Sequence, residues 1–196
     1  MSIAVRYVDL VRHAQSKANV LGVYSNDVCD PLTKCGRRDA VRLGATLHHV
    51  KYVRAICSPY RRCRETARLL LAGRRVPLDV CDQLGEMKFG PWDGLTRSDC
   101  ARRNAKSWAI WNQSPDALYL PGRETLADVH TRVVPWFDSL LLSQPPGPLL
   151  VVTHVMVIRM ILAHFIRMAL SKVRTIEVPH LDVFRTVGTR SGLGRQ

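Results

Sequence analysis

Residues Ala4 to Val11 alternate and then turn apolar: Val5 and Tyr7 give way to Val8, Leu10 and Val11, the pattern of a buried first strand. Thr33 can cap a helix whose apolar face runs through Ala40, Leu43 and Leu47. Tyr52 to Cys57 reads as a second strand. Ser58 and Pro59 behind it signal a helix start, with Cys63, Ala67, Leu70 and Leu71 facing inward. Residues 73 to 123 mix Gly, Pro, Trp and charge, and yield only a short helix around Ser98 to Trp111. From Glu124 a long helical pattern places Leu126, Val129, Val133, Phe137 and Leu140 on one side, with Pro135 predicting a kink or break. The stretch Pro145 to Pro148 is a turn. Leu149 to Thr153 is a strand, followed by a nearly all-apolar helix from about Val155. Leu181 to Val187 alternates as a last strand.

Strands alternating with helices imply an α/β three-layer sandwich, a mostly parallel central sheet with helices on both faces. One domain is expected over residues 1–187, with a loose tail over 188–196. In such sheets ligands bind at the carboxyl ends of the strands. Those ends carry Arg12 and His13, then Ser58 to Arg62, then His154.

Composition narrows the class. The chain has 196 residues, 46% hydrophobic and 23% charged, which suits a folded domain and not a disordered segment. The apolar run Val155 to Ile158 is stopped by Arg159, and no run approaches the roughly 18 to 20 residues of a membrane span. The N-terminus lacks the pattern of a cleaved signal. Six cysteines form no C-x-x-C pair and no cluster with histidine, so they read as reduced thiols and not as metal ligands. The expected location is the cytoplasm. The 29 Lys and Arg outnumber the 16 Asp and Glu, giving a formal charge of +13. Such a surface attracts anions, but its basic residues are scattered without a block or an aromatic ladder, so no nucleic-acid partner is expected.

Two histidines and two arginines at strand ends suit one chemistry in particular. Guanidinium groups bind the oxygens of a phosphate monoester bidentately and never lose their charge. A neutral imidazole can attack phosphorus, and a second, protonated one can donate to the oxygens that gain charge. An acid must then protonate the leaving alcohol. Arg12, His13, Arg62 and His154 supply the first four roles, and Glu86 is the leading candidate for the fifth.

The order of five motifs resembles the histidine phosphatase superfamily, the phosphoglycerate mutase-like fold, over about residues 5 to 165. Leu10-Val11-Arg12-His13-Ala14-Gln15-Ser16-Lys17-Ala18-Asn19 is similar to its opening L-V-R-H-G-x-[ST]-x-x-N. Asp30-Pro31-Leu32-Thr33 with Gly36, and Cys57-Ser58-Pro59-Tyr60-Arg61-Arg62 with Glu65-Thr66-Ala67, resemble the next two. Glu86 to Gly94 matches E-x-x-F-G-x-W-[ED]-G throughout, and Val152 to Arg159 resembles V-[ST]-H-G-G-V-I-R.

The resemblance implies that His13 is the nucleophile, that Arg12, Arg62 and His154 bind phosphate, and that Glu86 donates the proton. It adds Asn19 on the phosphate and Ser16 near the pocket mouth, and implies no metal and no cofactor. The departures are Ala14 for glycine, Val155 and Met156 for two glycines, and Arg123 where P-x-G-E-S has glycine. Val155 thereby becomes a candidate substrate contact.

The short chain and the Trp108, Trp111 and Pro121 stretch look like the alpha-ribazole and broad-specificity phosphatase branch, acting on a small phosphorylated substrate. The tryptophans read as core packing in preference to a stacking platform. A sugar-phosphate mutase and a low-turnover phosphate-binding module are the alternatives. His48, His49, His130, His164 and His180 read as surface or packing residues. Oligomeric state is left open, a homodimer among the options.

Overall fold

A computed structural model describes residues 7–143 and 146–187. Ala4 to Arg6 of the expected first strand, Pro145 of the turn and the expected tail therefore lie outside the described residues. The strands are β1 (Tyr7–Arg12), β2 (Arg54–Cys57), β3 (Leu78–Val80), β4 (Pro148–Thr153) and β5 (Val183–Val187). The helices are α1 (Lys17–Leu21), α2 (Lys34–Thr46), α3 (Arg61–Leu70), α4 (Arg97–Arg103), α5 (Ala105–Gln113), α6 (Leu126–Ser143) and α7 (Val155–Phe165).

The sheet order is β3-β2-β4-β1-β5, with every pairing parallel except the antiparallel edge strand β5. Period-2 alternation sorts β1 and β4 between two cores. Val8, Leu10, Leu149 and Val151 enter a cluster with the buried faces of α6 and α7. Val11, Leu150 and Val152 face the opposite way, onto Cys63, Ala67 and Leu70 of α3. Helices thus cover both faces, as expected. Phe137, Leu126 and Val133 of α6 are almost completely buried, so truncating any one to alanine should cost roughly 2–5 kcal/mol. No described helix is long and apolar enough to cross a membrane.

Several local expectations are corrected. α6 continues through Pro135, which excludes the break but not a kink, because its apolar face is anchored on both sides of the missing N–H. α3 starts at Arg61 and not at Ser58-Pro59. Ser58 N–H is still donating to the Val152 carbonyl at the sheet end, which keeps that dipeptide extended. The single helix expected around Ser98 to Trp111 is two, α4 and α5, divided at Asn104, whose side chain accepts from Ser107 N–H and caps a new start. β3 escapes a periodicity reading because it is three residues long and mostly exposed.

One buried charge fixes the edge. Asp9, fully buried in β1, accepts hydrogen bonds from Tyr52 (2.7 Å) and from the Arg185 guanidinium of β5 (2.8 and 3.0 Å). A carboxylate in an apolar strand is tolerable only with such partners.

Candidate active site

β2, β4 and β1 are adjacent, so their carboxyl ends deliver Ser58, His154 and His13 side by side. His13 N–H donates to the Thr153 carbonyl at 2.9 Å, which continues the ladder one residue past β1. The His13 and His154 rings are 5.2 Å apart, edge to face. Arg62 arrives from the first turn of α3, and Glu86 from the loop after β3. A backbone contact presses this region together: a Cβ on Gly36 would lie 2.2 Å from the Gln15 carbonyl oxygen, so α2 can approach the segment after His13 only through glycine.

Hydrogen bonds decide the tautomers. His13 Nδ1 is 2.8 Å from the Ala14 carbonyl, which can only accept, so Nδ1 carries the proton and Nε2 keeps its lone pair. Burial, then the Arg62 and Arg12 guanidiniums, hold the His13 pKa well below the usual histidine value. His154 Nδ1 faces Arg62 Nη2 at 3.4 Å and accepts from it, which leaves Nε2–H to donate to Ser58 Oγ at 2.7 Å. Burial and then Arg62 push its pKa well down too, so the neutral form of both imidazoles is favoured.

Arg62 is 3% exposed and bound on several sides. It donates to the carbonyls of Asp27 (3.0 Å) and Ser25 (3.1 Å), and lies 3.6 Å from the buried Asp30 carboxylate. Arg12 Nη1 donates to the Val178 carbonyl at 2.8 Å, while its buried Nε has no hydrogen-bond partner among the described residues. Glu86 is 6% exposed, and its Oε1 accepts from Met87 N–H at 2.8 Å. Burial raises its pKa above the usual carboxyl value against the pull of that bond and of Arg62 and Arg12, which favours a protonated, donating acid.

The Glu86 loop has little regular structure of its own and is braced by polar side chains. Asn26 donates to the Met87 carbonyl (2.9 Å), accepts from Phe89 N–H (2.6 Å) and offers its own N–H to Asp93 (2.6 Å). From the other side Arg132 donates to the carbonyls of Gln83 (2.6 Å) and Gly85 (2.9 Å). Glu124 ties Arg132 to Lys88 N–H. Thr153 Oγ1 anchors the loop to β4 through the Leu84 carbonyl at 2.7 Å. Gly90, at φ 56°, permits the close bridge between Phe89 and Arg123.

Arg12, His13, Ser16, Asn19, Arg62, Glu86, Val155 and Met156 all reach one cleft of about 1190 Å³, His154 lying buried behind it. Asn19 gives its carbonyl oxygen to Ser16 N–H and Oγ (both 3.0 Å), so only its NH₂ is left to meet an anion. Ser16 is fully buried. Arg123 does not line the cleft: it is buried under the loop with its guanidinium 4.3 Å from the centre of the Trp111 ring. Arg174 lies over the same indole at 4.5 Å, which leaves the buried Trp111 no room to stack on a substrate.

His180 lines this cleft, contrary to its reading as a surface or packing residue. Its Nδ1–H donates to the His13 carbonyl at 2.8 Å, and burial lowers its pKa to about 4. Nothing in its local sequence marks it, because the contact spans 167 residues. His130 and His164 sit together in a separate hollow at the far end of α7, where His164 lies 3.4 Å from Asp138.

Known proteins resemble this chain in sequence and in fold. The family model of the histidine phosphatase superfamily, branch 1, matches residues 8–193. Adenosylcobalamin/alpha-ribazole phosphatase of Salmonella typhimurium strain LT2 is 34% identical over 159 residues, which cover 81% of this chain and 79% of that protein. The solved structure of Bacillus stearothermophilus YhfR superposes with a TM-score of 0.91 at 25% identity, covering 96% of this chain and 94% of that one. The alpha-ribazole phosphatase from Shigella flexneri gives 0.88 at 26% identity, covering 97% and 94%. A family match over almost the whole chain, together with a phosphatase sharing a third of its residues over four fifths of it, places the protein in the histidine phosphatase superfamily as a phosphatase.

Proposed function

We propose that this phosphatase hydrolyses small phosphate monoesters through a phosphohistidine on His13 and without a metal ion. The observation that carries the reading is the tautomer: Nδ1–H is tied to the Ala14 carbonyl, so Nε2 offers a lone pair inside a pocket walled by Arg12 and Arg62. In the first step Nε2 bonds to phosphorus as the bond to the ester oxygen breaks, and the Glu86 carboxyl gives its proton to that oxygen. The two guanidiniums hold the transferring oxygens, as a metal ion does in other phosphatases. The arriving dianion offsets the guanidinium field around His154 and favours its protonation, which turns it into a donor to the same oxygens. In the second step water attacks phosphorus, the Glu86 carboxylate takes the water's proton, and the N–P bond breaks to release phosphate and restore His13. Asn19, through its NH₂, and Val155, through its side chain, complete the substrate contacts, with Ser16 holding Asn19 in place.

The test is chemical. Acid-sensitive, base-stable label should appear on the protein after a rapid quench with ³²P-labelled substrate, and His13→Ala should lack it and lose on the order of 10⁴-fold or more in turnover. Label that persists in His13→Ala would sink the assignment. Phosphate recovered on an isomeric product, and not in solution, would make the protein a mutase instead.

A further inference from the structure

The cleft extends well past the phosphate-binding residues, and its outer wall is built from arginine. Arg97 opens α4, Arg159 lies on α7 and Arg174 ends the 3-10 turn Leu170–Thr175 before the sheet-edge segment; all three line the same cleft as His13. Two of them are held in place. Arg159 donates from Nε to the Ile176 carbonyl at 2.9 Å and from Nη1 to the Met156 sulfur at 3.6 Å, which leaves its other amino group without a partner among the described residues. Arg174 donates to the Trp111 carbonyl and, at 3.4 Å, to Asn112, with its guanidinium on the Trp111 ring.

None of the three forms an ion pair among the described residues. The remaining carboxyl groups of the cleft do little to balance them. Asp30 is taken by Arg62, Glu86 is pushed toward its protonated form, and the exposed Glu177 forms no ion pair with any of the three among the described residues. Burial lowers the Arg159 pKa to about 10, and although Glu86 raises it, Arg174, Arg12 and Arg97 each lower it further. Unpaired cations that repel one another around an open cavity are a site waiting for negative charge.

The geometry points to a second anion-binding subsite formed by Arg97, Arg159 and Arg174. The preferred substrate is then a phosphate monoester whose leaving group bears a further anionic group, a carboxylate or a second phosphate. This rests on the phosphatase reading above, and it adds the substrate class. A neutral leaving group would leave the three guanidiniums unpaired, whereas a second anionic group gains charge-assisted hydrogen bonds that a competitor with a neutral leaving group lacks.

Two matched pairs test it: glycerol 3-phosphate against 3-phosphoglycerate, and adenosine 5′-phosphate against adenosine 3′,5′-bisphosphate. In at least one pair the member with the additional anionic group should have the higher kcat/KM by about 10- to 100-fold, the scale of charge-assisted hydrogen bonds. The preference should shrink with added salt. Arg97→Gln, at an exposed position that does not endanger folding, and Arg174→Gln should each reduce it while leaving p-nitrophenyl phosphate turnover within about two-fold, since that substrate lacks the second anion. Equal kcat/KM within both pairs, or a preference untouched by both variants, would overturn the subsite. Equilibrium binding of the same pairs to His13→Ala reads the subsite without turnover. If wild type fails to hydrolyse p-nitrophenyl phosphate, the catalytic reading fails while the binding preference still decides this one.

Discussion

The two walls of the cleft are made differently. The end proposed to hold phosphate is built from backbone that the sheet already orders: His13 and His154 follow β1 and β4 directly, and Ser58 follows β2. The leaving-group end is built from irregular segments held by polar side chains, with Asn26, Glu124 and Arg132 pinning the Glu86 loop and Trp111 carrying Arg123 and Arg174. A strand end is fixed by many ladder bonds at once, so it preserves one geometry. A loop held by a few side-chain contacts can be re-aimed by changing one of them. Of the departures, Val155 and Met156 open α7 directly after His154, at the ordered end, and Arg123 lies beneath the irregular wall.

The division can be broken by experiment. Glu86→Gln should slow phosphorylation by an alkyl phosphate by roughly 10²–10⁴-fold, and by a nitrophenyl phosphate much less, because an acidic phenol needs no proton as it leaves. Single-turnover measurement isolates that step, and equal losses for the two would take Glu86 out of the acid role. Asp93 would not inherit it, since its carboxylate accepts from Asn26 N–H and it does not line the cleft.

Asn26→Ala removes two side-chain hydrogen bonds from the same loop. It should cost about 1–3 kcal/mol of stability in denaturant unfolding, and its kinetic defect should resemble a weaker Glu86→Gln, larger for alkyl than for aryl esters. A defect equal for both leaving groups would show that Asn26 supports the phosphate end instead.

His13, His154 and His180 all have pKa values lowered in the fold, so the unfolded chain binds more protons than the folded one below the ordinary histidine value of 6.5. Stability from these groups is complete above about pH 6.5 and falls as pH drops toward the folded values, the last stretch for His180 ending near 4. Glu86, whose pKa is raised, acts in the opposite sense above the carboxyl range. The Tm should therefore fall between pH 7 and 5, and His180→Asn should flatten that slope. An unchanged slope in this variant would mean that His180 is charged in the folded protein.

The smallest expected effect is none: in the proposed mechanism Arg12 and Arg62 neutralise the transferring group, so excess EDTA should leave turnover unchanged. Loss on chelation, restored by a divalent ion, would count against the metal-free phosphate end.

Periodicity in the sequence determined much of this protein. The inward positions of α2 and α6 repeat near every 3.6 residues, while β1, β4 and α7 stand out as near-continuous apolar runs because most of their surface is buried, and both signals are readable without a partner. The chemistry at the strand ends was equally legible, since His13 and His154 sit where an apolar strand stops. Tertiary structure alone decided what no period encodes. The antiparallel docking of β5 depends on Asp9 meeting Arg185. The aim of Glu86 depends on Asn26, Glu124 and Arg132, and the place of His180 on one bond to the His13 carbonyl. Polar contacts between residues tens to hundreds of positions apart leave no local pattern, because their free energy arises only when folding has already brought both partners out of water.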